Sequence, residues 1–188
     1  EENTIVACAD YVLSKSKGTT VSNMSSSMAL EIIAKKYGCD YHSSKVGEIN
    51  VVEKMKEVNA MIGGEGNGGV ILRESHLGRD SLVAVTMVLN RMSQSESSLS
   101  SIYNTLPQYK IVKDKINTEG VDKGVLISKA TNLFYDAKQN KIDGIKFIWD
   151  NKWVHLRSSN TEPIIRIYSE AATEKEAKDL IVKVKSLL

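Results

Sequence analysis

Helix and strand signals take turns along residues 5–92, and beyond residue 109 they no longer do. Ile5, Val6, Ala9, Val12 and Leu13 fall on one helical face, with Gly18 as a stop. Thr19-Thr20-Val21-Ser22 reads as a short strand. Leu30, Ile33, Ala34 and Tyr37 mark a second helix closed by Gly38, and Cys39 to His42 reads as the next strand. Val51, Val52, Met55 and Val58 suggest a third helix, followed by short apolar strands at Ala60-Met61-Ile62 and Val70-Ile71-Leu72. Leu82 to Met92 is apolar almost all round, so a buried helix is expected there. This rhythm predicts an α/β domain with a mostly parallel, mixed sheet and helices on its faces.

Residues 92–101 are rich in serine, which fits a low-complexity linker or a helix end running into a second short helix. Leu99, Ile102 and Leu106 keep helical spacing, which favours the second, and Pro107 ends it. The expected domains are therefore 1–105 and 106–188. The second half clusters its strands: Tyr109 to Ile116, a segment around Ile142, Ile145 to Trp149, Lys152 to Leu156 and Ile164 to Glu170, with a compact turn at Asp150-Asn151. One helix is marked by Val121, Val125, Leu126, Ala130 and Leu133. The last is marked by a capping box (Thr173 with Glu176) and the stripe Ala177, Leu180, Ile181, Val184, Leu187, Leu188. Strands clustered between two helices predict an α+β domain with an antiparallel sheet and flanking helices.

Composition bounds the function classes. The 188 residues are 41% hydrophobic and 26% charged, with a net charge of +2. That charge is too small to make nucleic acid or a membrane surface the main partner. No apolar run approaches the ~20 residues of a membrane span. The start, Glu1-Glu2-Asn3-Thr4, has neither an initiator Met nor a signal peptide, so the expectation is a chain that begins partway through a longer protein. Cys8 and Cys39 make no metal set and no disulfide framework, and read as buried or half-buried thiols in a reducing, cytoplasmic compartment. His42, His76 and His155 show no ligand spacing.

Two loops carry chemistry. Gly63-Gly64-Glu65-Gly66-Asn67-Gly68-Gly69 contains a formal G-x-G-x-x-G, but strand residues follow it where a dinucleotide site needs a helix, and no acidic residue lies about 20 positions on. No Gly-Lys-Ser/Thr follows either. The glycines let the main chain approach a ligand closely or take φ > 0. Glu65 and Asn67 project an anionic acceptor and an acceptor–donor pair suited to neighbouring hydroxyls, as on a sugar ring. A Gly-rich hairpin with solvated polar residues is the plain alternative. Arg157-Ser158-Ser159-Asn160-Thr161-Glu162-Pro163 sits between two strand patterns. Its guanidinium matches phosphate oxygens bidentately, and short hydroxyl and amide side chains add close donors. An ordinary polar turn is the alternative here.

Together the two loops resemble those of the α-D-phosphohexomutases, the phosphoglucomutase, phosphomannomutase and phosphoglucosamine mutase family. The first is similar to the family's sugar-binding loop and the second to its phosphate-binding loop. Lys45-Val46-Gly47-Glu48 is similar to a segment of the third domain. The resemblance covers essentially the whole chain and assigns it the third and fourth of four domains. It implies an intramolecular phosphotransferase that interconverts hexose 1- and 6-phosphates through a bisphosphate intermediate, with a hexose bisphosphate activator. The phosphoserine loop and the aspartate-rich Mg²⁺ loop of such enzymes have no counterpart here, so they belong to missing N-terminal domains, and the fragment alone is expected to be inactive. By resemblance Arg157, Ser159, Asn160 and Thr161 bind phosphate, Glu65 and Asn67 bind sugar hydroxyls, and Lys45 reaches the same site. Arg79 either joins them or pairs with Asp80 or Glu74.

The motifs depart from the family pattern in places. Asn67 stands where many members have serine, and an asparagine there is similar to members acting on amino sugars. Gly69 stands where many have histidine, Asn160 where glycine is common, and Gly78-Arg79-Asp80 where an aspartate-glycine pair is frequent. A stand-alone phosphosugar- or anion-binding module without chemistry is the competing function, and a scaffold whose two loops are only turns is a third.

Overall fold

In the computed structural model, which describes residues 1–159 and 161–188, the chain forms two units, Glu1–Gln108 and Tyr109–Leu188. The first runs α1 (Thr4–Lys15), β1 (Thr20–Asn23), α2 (Ala29–Lys36), β2 (Tyr41–Ser44), α3 (Glu48–Glu57), β3 (Ile62–Gly64), β4 (Val70–Leu72), α4 (Ser81–Ser95) and α5 (Leu99–Thr105). Its sheet has the order β2-β1-β3-β4. β1 is parallel to β2 and β3, and β4 is antiparallel to β3. All four residues of β1 are buried, as a central strand requires. Val21, Val51, Met55, Ala60 and Ile71 form one core cluster between sheet and helix. Val21, Val51, Met55 and Ile71 each contribute roughly 1.5–3 kcal/mol when fully buried.

α1 turns Ile5, Val6, Cys8, Ala9 and Leu13 inward. It also buries Asp10, a charge that an apolar face tolerates only when paired. Asp10 forms ion pairs with Arg91 of α4 and, at 2.9 Å, with Lys36 of α2, and Tyr37 donates to it at 3.0 Å. Burial pushes its carboxyl pKa up, but Lys36, Arg91 and Tyr37 outweigh burial and leave the net value below the usual carboxylate range. Three helices are thereby tied at one point.

Several expected elements move. The second strand is Tyr41–Ser44, and β3 runs into the first two glycines of the glycine-rich loop. Residues 82–92 are helical, but α4 buries only one face. Ala84 and Met87 are covered, while Leu82, Val85 and Leu89 are 76%, 53% and 57% exposed. The buried-helix expectation is corrected because α4 packs against α1, β4 and α5 and still leaves the side bearing Leu82, Val85 and Leu89 uncovered. Apolarity all round does not supply a neighbour on that side.

The second unit runs β5 (Lys110–Asn117), α6 (Lys123–Leu133), β6 (Lys138–Asn140), β7 (Ile145–Ile148), β8 (Trp153–Ser158), β9 (Ile164–Ala171) and α7 (Glu174–Lys185). The sheet order is β5-β9-β8-β7-β6, antiparallel throughout. The strand placed around Ile142 forms instead at Lys138–Asn140. The Asn140 side chain accepts from the Ile142 amide at 3.1 Å, which folds that residue into a turn. Trp149 donates its amide to Lys152 O at 2.9 Å, closing the turn over Asp150-Asn151. The capping box at Thr173–Glu176 is complete and starts α7.

Side chains alternate across the sheet. Ile116, Phe147, Val154, Leu156, Ile165 and Ile167 point to the core shared with Leu126 and Ala130 of α6 and Leu180, Ile181 and Val184 of α7. The opposite face carries rows set by the register: Lys146–His155–Tyr168–Lys113, then Arg157–Arg166–Lys115.

Candidate functional site

In the first unit β1, β2 and β3 run in parallel, so their carboxyl ends share one edge. In the order β2-β1-β3 the connections diverge on either side of β1, which makes the β1/β3 edge a switch point where α/β sheets present ligand crevices. Asn23 ends β1, Lys45 follows β2, and Glu65 follows β3. Asn23 Nδ2 donates to Glu65 Oε1 at 2.6 Å, and the Gly47 amide donates to the same oxygen at 3.0 Å. Gly47 has φ +115, a conformation L side chains rarely adopt, and this turn aims its N–H at the carboxylate. Glu65 is 4% exposed, so its burial is matched by two donors.

The loop is anchored from the other side too. Ser26 Oγ accepts from the Gly66 amide at 2.8 Å and donates to Asn23 Oδ1 at 2.9 Å. Asn67 lies at the exposed tip, and its Oδ1 accepts from the Gly69 amide at 3.1 Å. Lys45 is exposed beside this edge.

Arg79 pairs with neither Asp80 nor Glu74. Its backbone N–H and Nε donate to the two oxygens of Glu48, at 2.9 and 2.8 Å, and its Nη1 stands 4.0 Å from Glu65 Oε2. Asp80 instead accepts from the Leu82 and Val83 amides and caps α4. The backbone N–H of Arg79, followed by its guanidinium, holds the Glu48 carboxyl below its usual range. A Cβ at position 69 would lie 2.5 Å from Arg79 Cδ. The stem of Arg79 thus fills the space a side chain at 69 would need, so glycine at 69 and arginine at 79 go together.

In the second unit Arg157 is half-buried near the end of β8, with its Nη1 3.8 Å from Asp143 Oδ2. Directly opposite on β9 stands Arg166, whose Nη2 is 3.0 Å from Glu162 Oε2. Ser159 donates its amide to Ile164 O at 2.9 Å, which closes the turn between the strands. Ser159 Oγ lies 3.5 Å from Thr161 Oγ1 and 3.4 Å from the Thr161 amide. Asn160 lies outside the described residues. Two residues before Arg157 on the same face of β8, His155 is buried with Nε2 2.6 Å from Asp143 O, so the ring nitrogen donates to the carbonyl. Burial pushes its pKa down to about 4.

Ser159 and Thr161 meet, with Arg157 two residues before Ser159 and paired to Asp143, while Glu65 and Asn67 share one loop but bond to different partners. Sequence reasoning missed Asn23, Gly47's N–H, Ser26 and Arg166. A strand-ending Asn followed by Met24-Ser25-Ser26-Ser27 was the available signal for the first. For Arg166 the signal was its period-two spacing on the strand that leaves the turn. Among the described residues no group of three or more His, Cys, Asp and Glu side chains is arranged to hold a metal ion. None of the described helices is long and apolar enough to cross a membrane.

Residues 1–109 match the family model for phosphoglucomutase/phosphomannomutase, alpha/beta/alpha domain III, and residues 115–187 match that for the C-terminal domain of the same proteins. The chain is 37% identical over 184 residues to a phosphoglucomutase/phosphomannomutase of Thermococcus kodakarensis, which covers 96% of this chain and 40% of that protein. It is 31% identical over 174 residues to a phosphoglucosamine/phosphogalactosamine mutase of Sulfurisphaera tokodaii, covering 89% of this chain and 38% of that one. A crystal structure of a phosphoglucomutase/phosphomannomutase family protein from Burkholderia thailandensis superposes with a TM-score of 0.80 at 21% identity, over 100% of this chain and 41% of its own. The chain thus spans about two-fifths of the length of these relatives.

Proposed function

Because the chain belongs to the phosphoglucomutase/phosphomannomutase family, we propose that it is the substrate-recognition part of a phosphohexose mutase, an isomerase that moves a phosphoryl group between C1 and C6 of a hexose. The observation that carries this reading is the opposed pair Arg157 and Arg166 beside the hydroxyls of Ser159 and Thr161. Two guanidiniums and two hydroxyls suit a phosphate dianion, for which charge-assisted bonds are the strong ones.

The roles divide between the two units. Arg157, Arg166, Ser159 and Thr161 hold the phosphate that is not reacting, and Asn160 belongs to the same loop. They read phosphate and ignore the sugar, so the hexose can be held by either end. Glu65 accepts from ring hydroxyls through Oε2, since Oε1 is already engaged by Asn23 and Gly47. Asn67 and Lys45 reach the same sugar from the exposed tip and the neighbouring strand end. Such positioning is most of what phosphoryl transfer asks of a protein.

The phosphoserine and the Mg²⁺ of this chemistry belong to the preceding domains. Among the described residues no group of three or more His, Cys, Asp and Glu side chains could hold a metal ion. Relatives are named phosphoglucomutase/phosphomannomutase, phosphoglucosamine mutase and phosphomannomutase, which supports a hexose phosphate as the substrate class.

The test is a coupled assay with glucose 1-phosphate, mannose 1-phosphate and glucosamine 1-phosphate plus a bisphosphate activator. The 188-residue chain should give no turnover, and the chain extended by its upstream coding sequence should turn over at least one of them. Metal-dependent turnover by the short chain alone overturns the division of labour. An upstream sequence without a serine loop and an aspartate-rich loop would favour a binding module instead.

A further inference from the structure

A hollow of about 320 Å³ opens in the second unit where β5 meets β9, on the sheet face that carries Arg157 and Arg166. The register puts Lys115 directly opposite Arg166 on one side, as it puts Arg157 on the other. Three cations thus stand in line across three strands that lie about 4.8 Å apart. Next along β5, Lys113 faces Tyr168, with Nζ 5.8 Å from the ring centroid, and Ile164 closes the hollow at its other end. Both lysines are exposed on the edge strand. The carboxylate between them, Asp114, is turned to the opposite face, where it accepts from Lys185 of α7 at 2.6 Å. Glu162 engages Arg166, while Lys115 has no ion pair among the described residues. A sheet has little net dipole, so no helix end accounts for this charge.

We propose that this hollow is a second anion subsite, which takes the phosphate group of a small ligand between Arg166 and Lys115. Its volume is at the low end of small-molecule sites, which suits one phosphate with a compact body. Arg166 supplies a planar fork of donors and Lys115 a point charge. Tyr168 and Ile164 give an attached body an apolar wall. The subsite shares Arg166 with the phosphate clamp proposed above and rests on that reading only there, since Lys113, Lys115 and Tyr168 have no part in the clamp. Lysines on an edge strand also deter pairing with another chain. That role does not concern Arg166 and Tyr168, which stand on the inner strand β9.

The experiment titrates the Arg157→Ala variant with inorganic phosphate at pH 7 and constant ionic strength, read by NMR amide by amide. Residues 113–115 and 166–168 should shift and saturate. Adding Lys115→Gln should weaken that binding about tenfold, the loss of one charge-assisted bond. It should not lower the melting temperature, since the side chain is exposed. Glucose 6-phosphate is the second arm. Tighter binding than phosphate names an ester as the occupant and equal binding the free ion, and both support a phosphate subsite. In the parent chain the amides of Ser159 and Thr161 report the clamp separately. If they stay still while 113–115 saturate, the clamp fails and the subsite stands. Three results overturn the subsite: no saturable shift at 113–115, the same shift produced by chloride at matched ionic strength, or an affinity that Lys115→Gln leaves unchanged. The last would make the lysines guards of the sheet edge and nothing more.

Discussion

Arg157 and Arg166 stand opposite each other across β8 and β9, on the same face of the sheet. Neighbouring strands are about 4.8 Å apart, and like charges directly opposite cost stability. Asp143 at 3.8 Å from Arg157 and Glu162 at 3.0 Å from Arg166 each face one of the two guanidiniums. An anion between the guanidiniums converts the repulsion into two charge-assisted bonds.

That geometry separates affinity from stability. Arg157→Ala should weaken inorganic phosphate and phosphosugar binding about ten- to a hundredfold, from roughly 1.5–3 kcal/mol per charge-assisted bond. Arg157→Lys should recover only part of it, because an ammonium lacks the planar fork. Arg166→Ala should lose about tenfold in phosphate affinity while the unliganded protein melts no earlier. NMR shift titration and thermal melting read the two quantities. A parent-like phosphate affinity in Arg157→Ala would reduce the segment to a turn.

Around Glu65, Glu65→Gln should weaken phosphosugar binding and leave inorganic phosphate nearly unchanged. Asn23→Asp places a second carboxylate where an amide now donates at 2.6 Å. Two carboxylates so close cannot both ionise, so one of the pair titrates high. The variant should lose about 2 kcal/mol at pH 7, with the deficit shrinking as the pH falls to 4.5. Urea denaturation at both pH values checks this, and a deficit that does not change with pH would contradict it.

His155 makes stability pH-dependent. Burial is the largest cause of its low folded pKa, about 4 against 6.5 in an open chain; nearby Lys146 and Arg157 add to it, and Asp143 opposes. Between these values the unfolded chain binds a proton that the folded one refuses. Stability from this site is therefore full above pH 6.5 and falls by up to about 3 kcal/mol as the pH drops towards 4. His155→Gln should flatten that slope. Denaturation curves at pH 7 and 4.5 decide, and an unchanged slope in the variant would assign the effect elsewhere.

Asp10→Asn should destabilise the first unit by about 2–3 kcal/mol, because it leaves Arg91 and Lys36 without their shared carboxylate. Asp10→Leu should cost no more than the amide, since the arginine is partly exposed and can turn to water. A shift in thermal midpoint within half a degree of the parent would show that the ion pairs contribute nothing.

The sequence by itself determined most of the helices and strands, a mostly parallel sheet in the first half and an antiparallel one in the second, although the strand expected around Ile142 forms at Lys138–Asn140. Periodicity, glycine stops and the Thr173 capping box are local, and local geometry is what periodicity reports. It also carried both loops, because glycine density and a guanidinium beside short hydroxyls are visible without coordinates. Only the tertiary structure decided the partners. Asn23 reaches Glu65 across 42 positions and Arg79 reaches Glu48 across 31, and no local pattern encodes a hydrogen bond between two loops that meet at one sheet edge. Arg166 faces Arg157 because of strand register, which the turn and core packing set together. The face of α4 that stays exposed was settled the same way: an apolar helix states how much of itself it can bury, and its neighbours decide how much is buried.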